Sequence, residues 1–161
     1  MSDQSSQSSQ SSQVSLRYSE EFPQGNGDFS LISSDGVVFT ISRFLLSHVS
    51  PVFEDMLDLG TASSSQAAEL QVTEDSETLD QLLRFFDPLK DPAPITLDTI
   101  EKFLEAARKY QVERVFKYWE EKMIVRDESN QVVKISAPLT CLALADYFGR
   151  REMLRLALRE L

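Results

Sequence analysis

The sequence predicts an α+β domain, in which a small sheet that begins with an N-terminal hairpin is covered by a cluster of α-helices. Three observations support this prediction. Apolar residues alternate with polar or smaller ones between Asp28 and Ile41, which is typical of strands. From Ser50 onward they recur at helical spacing in several short segments. The chain has 161 residues, of which 42% are apolar, so it suits one domain with a core of its own.

The predicted hairpin joins Asp28–Ile32 to Val37–Ile41. The Asp35-Gly36 pair between them supplies the positive-φ positions that a tight turn requires. Ser42 then caps a short helix that reaches about His48, because a serine side chain can accept a hydrogen bond from the first turn of a helix. The hairpin therefore leads directly into the helical part of the domain.

A second helix is predicted from Ser50-Pro51 to about Leu59. A capping hydroxyl followed by proline is a helix-start signal, since the missing proline N–H costs nothing in the first turn. The apolar residues of this helix form one stripe, which consists of Val52, Phe53, Met56 and Leu57. Residues 60–66 are mostly small and predict a loop.

The middle of the chain predicts one more strand and three more helices. The strand lies at Glu69–Thr73, where apolar residues again alternate. The helices begin at Thr73, at Thr96 and near Val112, each with apolar residues three and four positions apart. The sequence Asp91-Pro92-Ala93-Pro94 breaks the chain between the first two of these helices.

The C-terminal part predicts two further helices, which follow a polar loop at 126–130. These helices span about 139–148 and 151–161, and Gly149 separates them as a C-cap. Residues Val132–Ile135 fit either a short strand or an extended lead-in to the helices.

The chain is acidic, with a formal net charge of -10 and a pI of about 4.6. Such a surface repels phosphate backbones and anionic lipid head groups, so nucleic acid and membranes are not expected as partners. Between Glu54 and Lys90 there are nine acidic and two basic residues. This region is either an acidic face that meets a basic partner or a solvated surface that keeps the protein soluble.

Residue types that carry catalysis or bind metals are scarce in this sequence. The only histidine is His48 and the only cysteine is Cys141, so a His-based triad, a multi-His metal site and an internal disulfide are excluded. There is also no glycine-rich phosphate loop. We therefore predict a protein that is not an enzyme and has no catalytic, cofactor-binding or metal-binding residues. The alternative is a small enzymatic or ligand-binding helical domain, which a deep cavity around Asp146 and Tyr147 would favour.

The N-terminal 24 residues are predicted to be a disordered tail and lead-in. Ser-Ser-Gln repeats three times over residues 5–13, and such a tract cannot bury enough apolar surface to offset its ordering entropy. The sequence has no apolar stretch of transmembrane length and no signal-peptide pattern. With its single cysteine, the chain is expected to be intracellular, in the cytoplasm or the nucleus.

Several short groups of residues follow one another in a characteristic order between Asp28 and Met123. They are Asp28, Ser34-Asp35-Gly36, Phe39, Leu45-Leu46, Ser50-Pro51-Val52-Phe53, Met56-Leu57, Leu70-Gln71-Val72, Leu79, Leu82-Leu83-Arg84-Phe85-Phe86 and Ala106-Ala107-Arg108-Lys109-Tyr110. In this order and spacing they resemble the BTB/POZ domain. The resemblance is greatest to the divergent BTB-like proteins of filamentous and mushroom-forming fungi.

The resemblance implies a BTB/POZ-like α+β fold, a small mixed sheet with an N-terminal hairpin covered by α-helices. This domain would span residues 25–125, between the lead-in at 1–24 and a C-terminal helical extension at 126–161. The resemblance also implies a non-enzymatic protein–protein interaction module. This module would mediate homo- or hetero-oligomerisation, with itself or another BTB protein as the partner. We expect the partner to contact Phe53, Met56 and Leu57, and plain core packing is the alternative interpretation of these three residues.

Some BTB proteins are substrate adaptors for cullin-3 ubiquitin ligases, and this is the alternative function that the resemblance implies. Such adaptors often carry a hydrophobic-x-Glu element after the helix that corresponds to the one containing Met56. Here the loop at 60–68 has no acidic residue before Glu69, so we expect weak or no binding to cullin-3. Ser42 stands where the family often has histidine. The first 27 residues also lack the extra helix of many swapped BTB dimers.

Overall fold

The structure is a computed structural model that describes residues 17–63, 69–94, 96–129 and 131–161. The predicted disorder of residues 1–16 therefore lies outside the described residues. The elements in chain order are β1 (Arg17–Tyr18), β2 (Phe29–Ile32), β3 (Val37–Ile41), α1 (Arg43–Val49), α2 (Pro51–Ser63), β4 (Glu69–Gln71), α3 (Ser76–Arg84), α4 (Ile100–Lys109), α5 (Glu113–Met123), β5 (Ile124–Arg126), β6 (Val132–Ile135), α6 (Pro138–Tyr147) and α7 (Arg151–Arg159). The α+β prediction is confirmed.

The main sheet has four strands in the order β1-β3-β2-β4. β2 and β3 form the predicted antiparallel hairpin, in which Phe29 pairs with Ile41 and Leu31 pairs with Phe39. β1 runs parallel to β3 and β4 runs parallel to β2, so the sheet is mixed. β4 confirms the predicted third strand. The sequence prediction lacks β1, because two residues are too few to show an alternating pattern.

Two glycines shape the entry to the hairpin and its turn. Gly36 has a φ of +81°, the left-handed conformation that makes glycine suitable for the predicted turn. Gly27 passes close to the end of β3, where an added Cβ would lie 2.1 Å from the carbonyl carbon of Ile41. A side chain at position 27 would therefore displace the backbone.

The predicted caps of α1 and α3 are wrong, although the helices themselves are present. Ser42 occupies the N-cap position of α1 but makes no capping hydrogen bond. The backbone N–H of Arg43 donates instead to Asp28 Oδ1, at 2.7 Å. In α3 the cap is Asp75 and not Thr73, because the Asp75 carboxylate accepts a hydrogen bond from the backbone N–H of Thr78.

Two predicted helix boundaries also differ from the structure. α2 continues to Ser63, so the predicted loop does not begin at Gly60. A single glycine costs a helix only about 1 kcal/mol and does not end it by itself. α4 begins at Ile100 and not at Thr96, since residues 97–99 form a turn in which the Thr96 carbonyl accepts a hydrogen bond from the Ile100 N–H.

One hydrophobic core joins the sheet to the helices and extends along the chain from Phe22 to Ala157. Phe22 belongs to the predicted lead-in, yet it is fully buried, and its ring centroid lies 6.1 Å from that of Phe39. The helical stripes predicted for α3, α4 and α5 are mostly buried, and they supply Leu79, Leu82, Leu83, Phe86, Ile100, Phe103, Leu104, Ala107, Val115, Phe116 and Trp119.

A second, two-stranded sheet precedes the C-terminal helices. β5 pairs with β6 in antiparallel fashion, which settles Val132–Ile135 as a strand. α6 and α7 are the predicted helical pair, and Gly149 between them has a φ of +68°. Cys141 and Met153 join the common core, so the C-terminal segment packs on the rest of the domain.

Candidate interaction surface

The three residues predicted to contact a partner lie on α2 but differ in burial. Phe53 is 0% exposed and Leu57 is 6% exposed, whereas Met56 is 38% exposed. An ideal helix advances about 100° per residue, which places Met56 about 60° to one side of Phe53 and Leu57 about 40° to the other. Of these three side chains, Met56 has the most surface available to a partner.

Phe53 is held by two aromatic rings from distant parts of the chain. Its ring stacks on that of Tyr110, with 4.3 Å between the centroids and 5° between the planes. It also meets Phe86 edge-on, at 5.9 Å. Aromatic pairs in such arrangements add stability beyond the area that they bury. Phe53 therefore fixes α2 against the segments that follow α3 and α4.

Ser50 reinforces the same joint through its hydroxyl group. The side chain is fully buried, and its hydroxyl donates to the backbone carbonyl of Tyr110 at 2.6 Å. The same oxygen accepts a hydrogen bond from the backbone N–H of Phe53 at 3.1 Å. The predicted helix-start signal is confirmed, and Ser50 also bonds α2 to the end of α4.

A polar cluster extends this joint toward the surface. The Tyr110 hydroxyl donates to Glu74 Oε2 at 2.5 Å, and Lys109 Nζ lies 2.7 Å from Glu74 Oε1. Burial pushes the pKa of Glu74 up, but the hydrogen bonds from Lys109 and Tyr110 outweigh it, so the pKa lies below its ordinary value. Burial and the neighbouring carboxylate raise the pKa of Tyr110. The cluster therefore holds a carboxylate and a neutral phenol at neutral pH.

The hairpin turn is bonded to the start of α3. Asp35 Oδ1 accepts a hydrogen bond from the backbone N–H of Ser76 at 2.8 Å, and Asp35 Oδ2 accepts one from its hydroxyl at 2.6 Å. The backbone N–H of Ser34 donates to the Glu74 carbonyl. These bonds fix the hairpin relative to the start of α3.

The outer faces of α1 and α2 carry exposed apolar side chains, which we call the α1–α2 surface. It consists of the apolar residues Phe44, Met56 and Leu59 together with His48, whose ring packs on Phe44. Phe44 is 69% exposed, and its ring stacks on the His48 imidazole at 5.6 Å. The acidic residues Glu54 and Asp55 are exposed on the same helix as Met56. The surface therefore offers apolar contact area, and exposed carboxylates lie elsewhere on the same helix.

Sequence reasoning missed the joint around Tyr110 and the contribution of α1. Phe44 is a large apolar residue of a short helix, and such a residue is expected in the core, yet it is mostly exposed. The bonds from Tyr110 to Glu74 and to Ser50 join residues 36 and 60 positions apart, so no local pattern indicates them. The only indication in the sequence that Tyr110 has a structural role is its place directly after the helix that contains Ala106 and Ala107.

No group of three or more His, Cys, Asp or Glu side chains is placed to hold a metal ion within residues 17–63, 69–94, 96–129 and 131–161. No helix in these segments is long and apolar enough to cross a membrane. Cys141 is buried, and burial raises the pKa of its thiol to about 11. Tyr147 is exposed and donates its hydroxyl hydrogen to Glu105.

Comparison with models of known protein families identifies the family of this domain. Residues 22–127 match the model of the BTB/POZ domain, about two thirds of the chain. The chain belongs to the BTB/POZ domain family, and this domain is a protein–protein interaction module.

The chain is also similar to chains of solved structures. Among the 49 matching chains of solved structures is the BTB domain of zebrafish PATZ1, with a TM-score of 0.48 and 17% sequence identity. The match covers 59% of this chain and 73% of that one. No curated protein matches the sequence. The closer resemblance to fungal BTB-like proteins stays a prediction.

Proposed function

We propose that this BTB domain oligomerises, with itself or with another BTB domain, through the α1–α2 surface. The observation that carries the proposal is the division of α2 into two sides. Phe53 and Leu57 anchor the helix in the core, while Met56 projects from it. Because the backbone of α2 is already held by the core, binding a partner orders the Met56 side chain but not its backbone, which lowers the entropy cost of the contact. Phe53 and Leu57 then support the contact by holding Met56 in place.

The apolar side chains of the α1–α2 surface suit such a contact. Methionine and aromatic residues are enriched at protein–protein interfaces. Phe44 and Met56 each offer exposed apolar area on one of two helices that pack against each other. The negative charge of the chain opposes self-association, so we expect added salt to strengthen it by screening the repulsion.

Light scattering coupled to size-exclusion chromatography tests oligomerisation. At rising concentration we expect the molar mass of the full chain to increase from 18.3 kDa toward at least twice that value. Met56→Glu places a charge on the proposed contact and should return the mass to that of the monomer. Leu89→Glu is the control, because Leu89 is exposed in the loop between α3 and α4. A wild-type monomer at every concentration and salt would contradict self-association.

We also propose that residues 25–125 form the interaction domain and residues 126–161 a helical extension of it. Ile135, Cys141 and Met153 pack into the common core, which supports an extension that stabilises the domain. Loss of cooperative unfolding after truncation at residue 125 is the expected result. A truncated chain that unfolds cooperatively, with the same free energy of unfolding as the full chain, would contradict this proposal.

A further inference from the structure

The solvent side of α7 carries a row of arginines beside two leucines, which together we call the α7 ridge. Arg151, Arg155 and Arg159 are exposed and recur at intervals of four residues, so they lie one above the other along the helix. Leu154 and Leu158 lie next to this row, and Leu158 is 56% exposed. The opposite side of the helix packs into the core. α7 therefore presents a basic and partly apolar ridge to solvent.

The α7 ridge is basic in a chain that is otherwise strongly acidic. Residues 131–161 contain five basic and three acidic residues, whereas the whole chain has a formal net charge of -10. Arg155 is paired with Glu152 at 2.7 Å, but the two side chains are 71% and 83% exposed. Exposed ion pairs contribute little to stability, so Arg155 can exchange this partner for a carboxylate of another protein. The ridge therefore suits an acidic partner that also carries apolar side chains.

The outer side of α2 has the complementary composition. Glu54 and Asp55 are exposed there, and Leu59, one turn after Asp55, is 72% exposed. At about 100° per residue, Asp55 lies about 180° around the helix from the midpoint between the buried residues Phe53 and Leu57. Asp55 is therefore on the side of α2 that faces away from the core, next to the apolar residues of the α1–α2 surface.

Neither of these two helices is suited to pair with its own copy. In a twofold interface the same surface patch meets itself. Two α2 helices in such an interface would bring Asp55 close to Asp55 of the second copy, and two α7 helices would bring the arginine rows together. Like charges that meet across an interface oppose binding. A contact between α7 of one copy and α2 of another avoids both repulsions.

We propose that the α7 ridge of one copy binds the α1–α2 surface of another copy, head to tail. This contact rests on the proposed function, oligomerisation through the α1–α2 surface, and identifies the second surface in it. When two helices pack in parallel, opposite flanks meet, so the leucines of the ridge face Met56 and Leu59 while Arg155 faces Asp55. The charges select this orientation, and the apolar side chains supply the contact area. Repeated head-to-tail contacts close into a ring or continue as a filament.

Charge reversal on each helix tests the contact by light scattering coupled to size-exclusion chromatography of the full chain. Arg155→Glu and Asp55→Arg each place like charges opposite one another, so we expect each to raise the dissociation constant at least about tenfold. Lys117→Glu on α5 and Glu101→Arg on α4 are the matched controls, because they change the net charge equally at exposed positions outside both surfaces. The controls should change the dissociation constant less than about twofold. Urea denaturation checks that all four variants are folded.

An equimolar mixture of Arg155→Glu and Asp55→Arg tests whether the two residues meet. One variant keeps Asp55 and the other keeps Arg155, so the wild-type contact can form between the two chains. We expect the mixture to associate with a dissociation constant close to that of the wild type, although neither variant does so alone. A mixture that stays monomeric at concentrations where the wild type associates would overturn the proposal.

The same variants separate this contact from the proposed function. If Met56→Glu abolishes association while Arg155→Glu leaves it unchanged, the α1–α2 surface oligomerises without α7, and only the α7 contact is wrong. If the wild type remains a monomer at every concentration, self-association through the α1–α2 surface and the α7 contact are both wrong.

Discussion

The ring of Phe53 stacks on the ring of Tyr110 with 4.3 Å between their centroids, and both side chains are fully buried. This contact joins the first turn of α2 to the residue that ends α4. The sequence identifies Phe53 as a candidate contact residue, and in the structure its buried ring anchors α2 in the core. The exposed side of α2 is therefore held by a rigid interior, and Met56 belongs to that exposed side.

The first prediction separates the two roles on α2. Phe53→Ala should lower the free energy of unfolding by about 3–5 kcal/mol, because it removes a fully buried ring and leaves a cavity. Met56→Ala should change it by about 1 kcal/mol or less, since much of that side chain is exposed. Urea denaturation followed by circular dichroism measures both. Similar losses in the two variants would contradict the assignment.

The second prediction concerns the buried hydroxyl of Ser50. Ser50→Ala removes the donor to the Tyr110 carbonyl and the acceptor of the Phe53 N–H, so we expect a loss of about 1–3 kcal/mol. Ser47→Ala is the matched control in α1, where the hydroxyl donates to the Phe44 carbonyl in an exposed position. The control should cost no more than about 0.5 kcal/mol. If both variants unfold at the same urea concentration, Ser50 does not join α2 to α4.

The third prediction is a loss of stability in acid. Hydrogen bonds from the backbone and side chain of Thr78 hold the pKa of Asp75 below its ordinary value of 3.8. The pKa of Glu74 lies below 4.5, because its bonds with Lys109 and Tyr110 outweigh the effect of burial. A lowered pKa means that the unfolded chain binds protons first as the pH falls. The stabilisation is therefore complete above these ordinary values and is lost as the pH drops below them.

Urea denaturation at a series of pH values measures this loss. Glu74→Gln should be less stable than wild type at neutral pH and should lose less stability between about pH 5 and pH 2, since one of the titrating groups is absent. A wild-type free energy of unfolding that stays constant over this range would show that these carboxylates do not stabilise the fold.

The fourth prediction concerns the alternative role as a cullin-3 adaptor. The chain has no acidic residue between Gly60 and Ala68, where such adaptors often carry a glutamate. We expect weak or no binding of the full chain to a recombinant cullin-3 N-terminal region in a titration. Sub-micromolar affinity would overturn this expectation and support the adaptor role.

Most of the fold could be predicted from the sequence because local patterns determine it. The Asp35-Gly36 turn, the start of α2 at Ser50-Pro51 and the buried face of α3 all follow from residues close together in the chain. The missed features depend on distant partners. β1 is recognisable only by its pairing with β3, and Asp28 replaces Ser42 as the cap of α1 through a bond across 15 positions.

The candidate surface was only partly predictable for the same reason. Phe53, Met56 and Leu57 lie in one arc of α2, and their spacing does not say which of them the core covers. The answer depends on Tyr110 and Phe86, which reach Phe53 from α4 and from the end of α3. Tertiary packing therefore decides which residue of an apolar stripe is left for a partner.

The most direct test of the central claim is methyl NMR of the methionines in the full chain. Met56 lies on the proposed contact, whereas Met153 is only 2% exposed in the core and serves as an internal control. We predict that the Met56 methyl signal shifts or broadens as the concentration rises, or when a partner BTB domain is added, while the Met153 signal stays unchanged. A rise in molar mass without any change at Met56 would contradict the account.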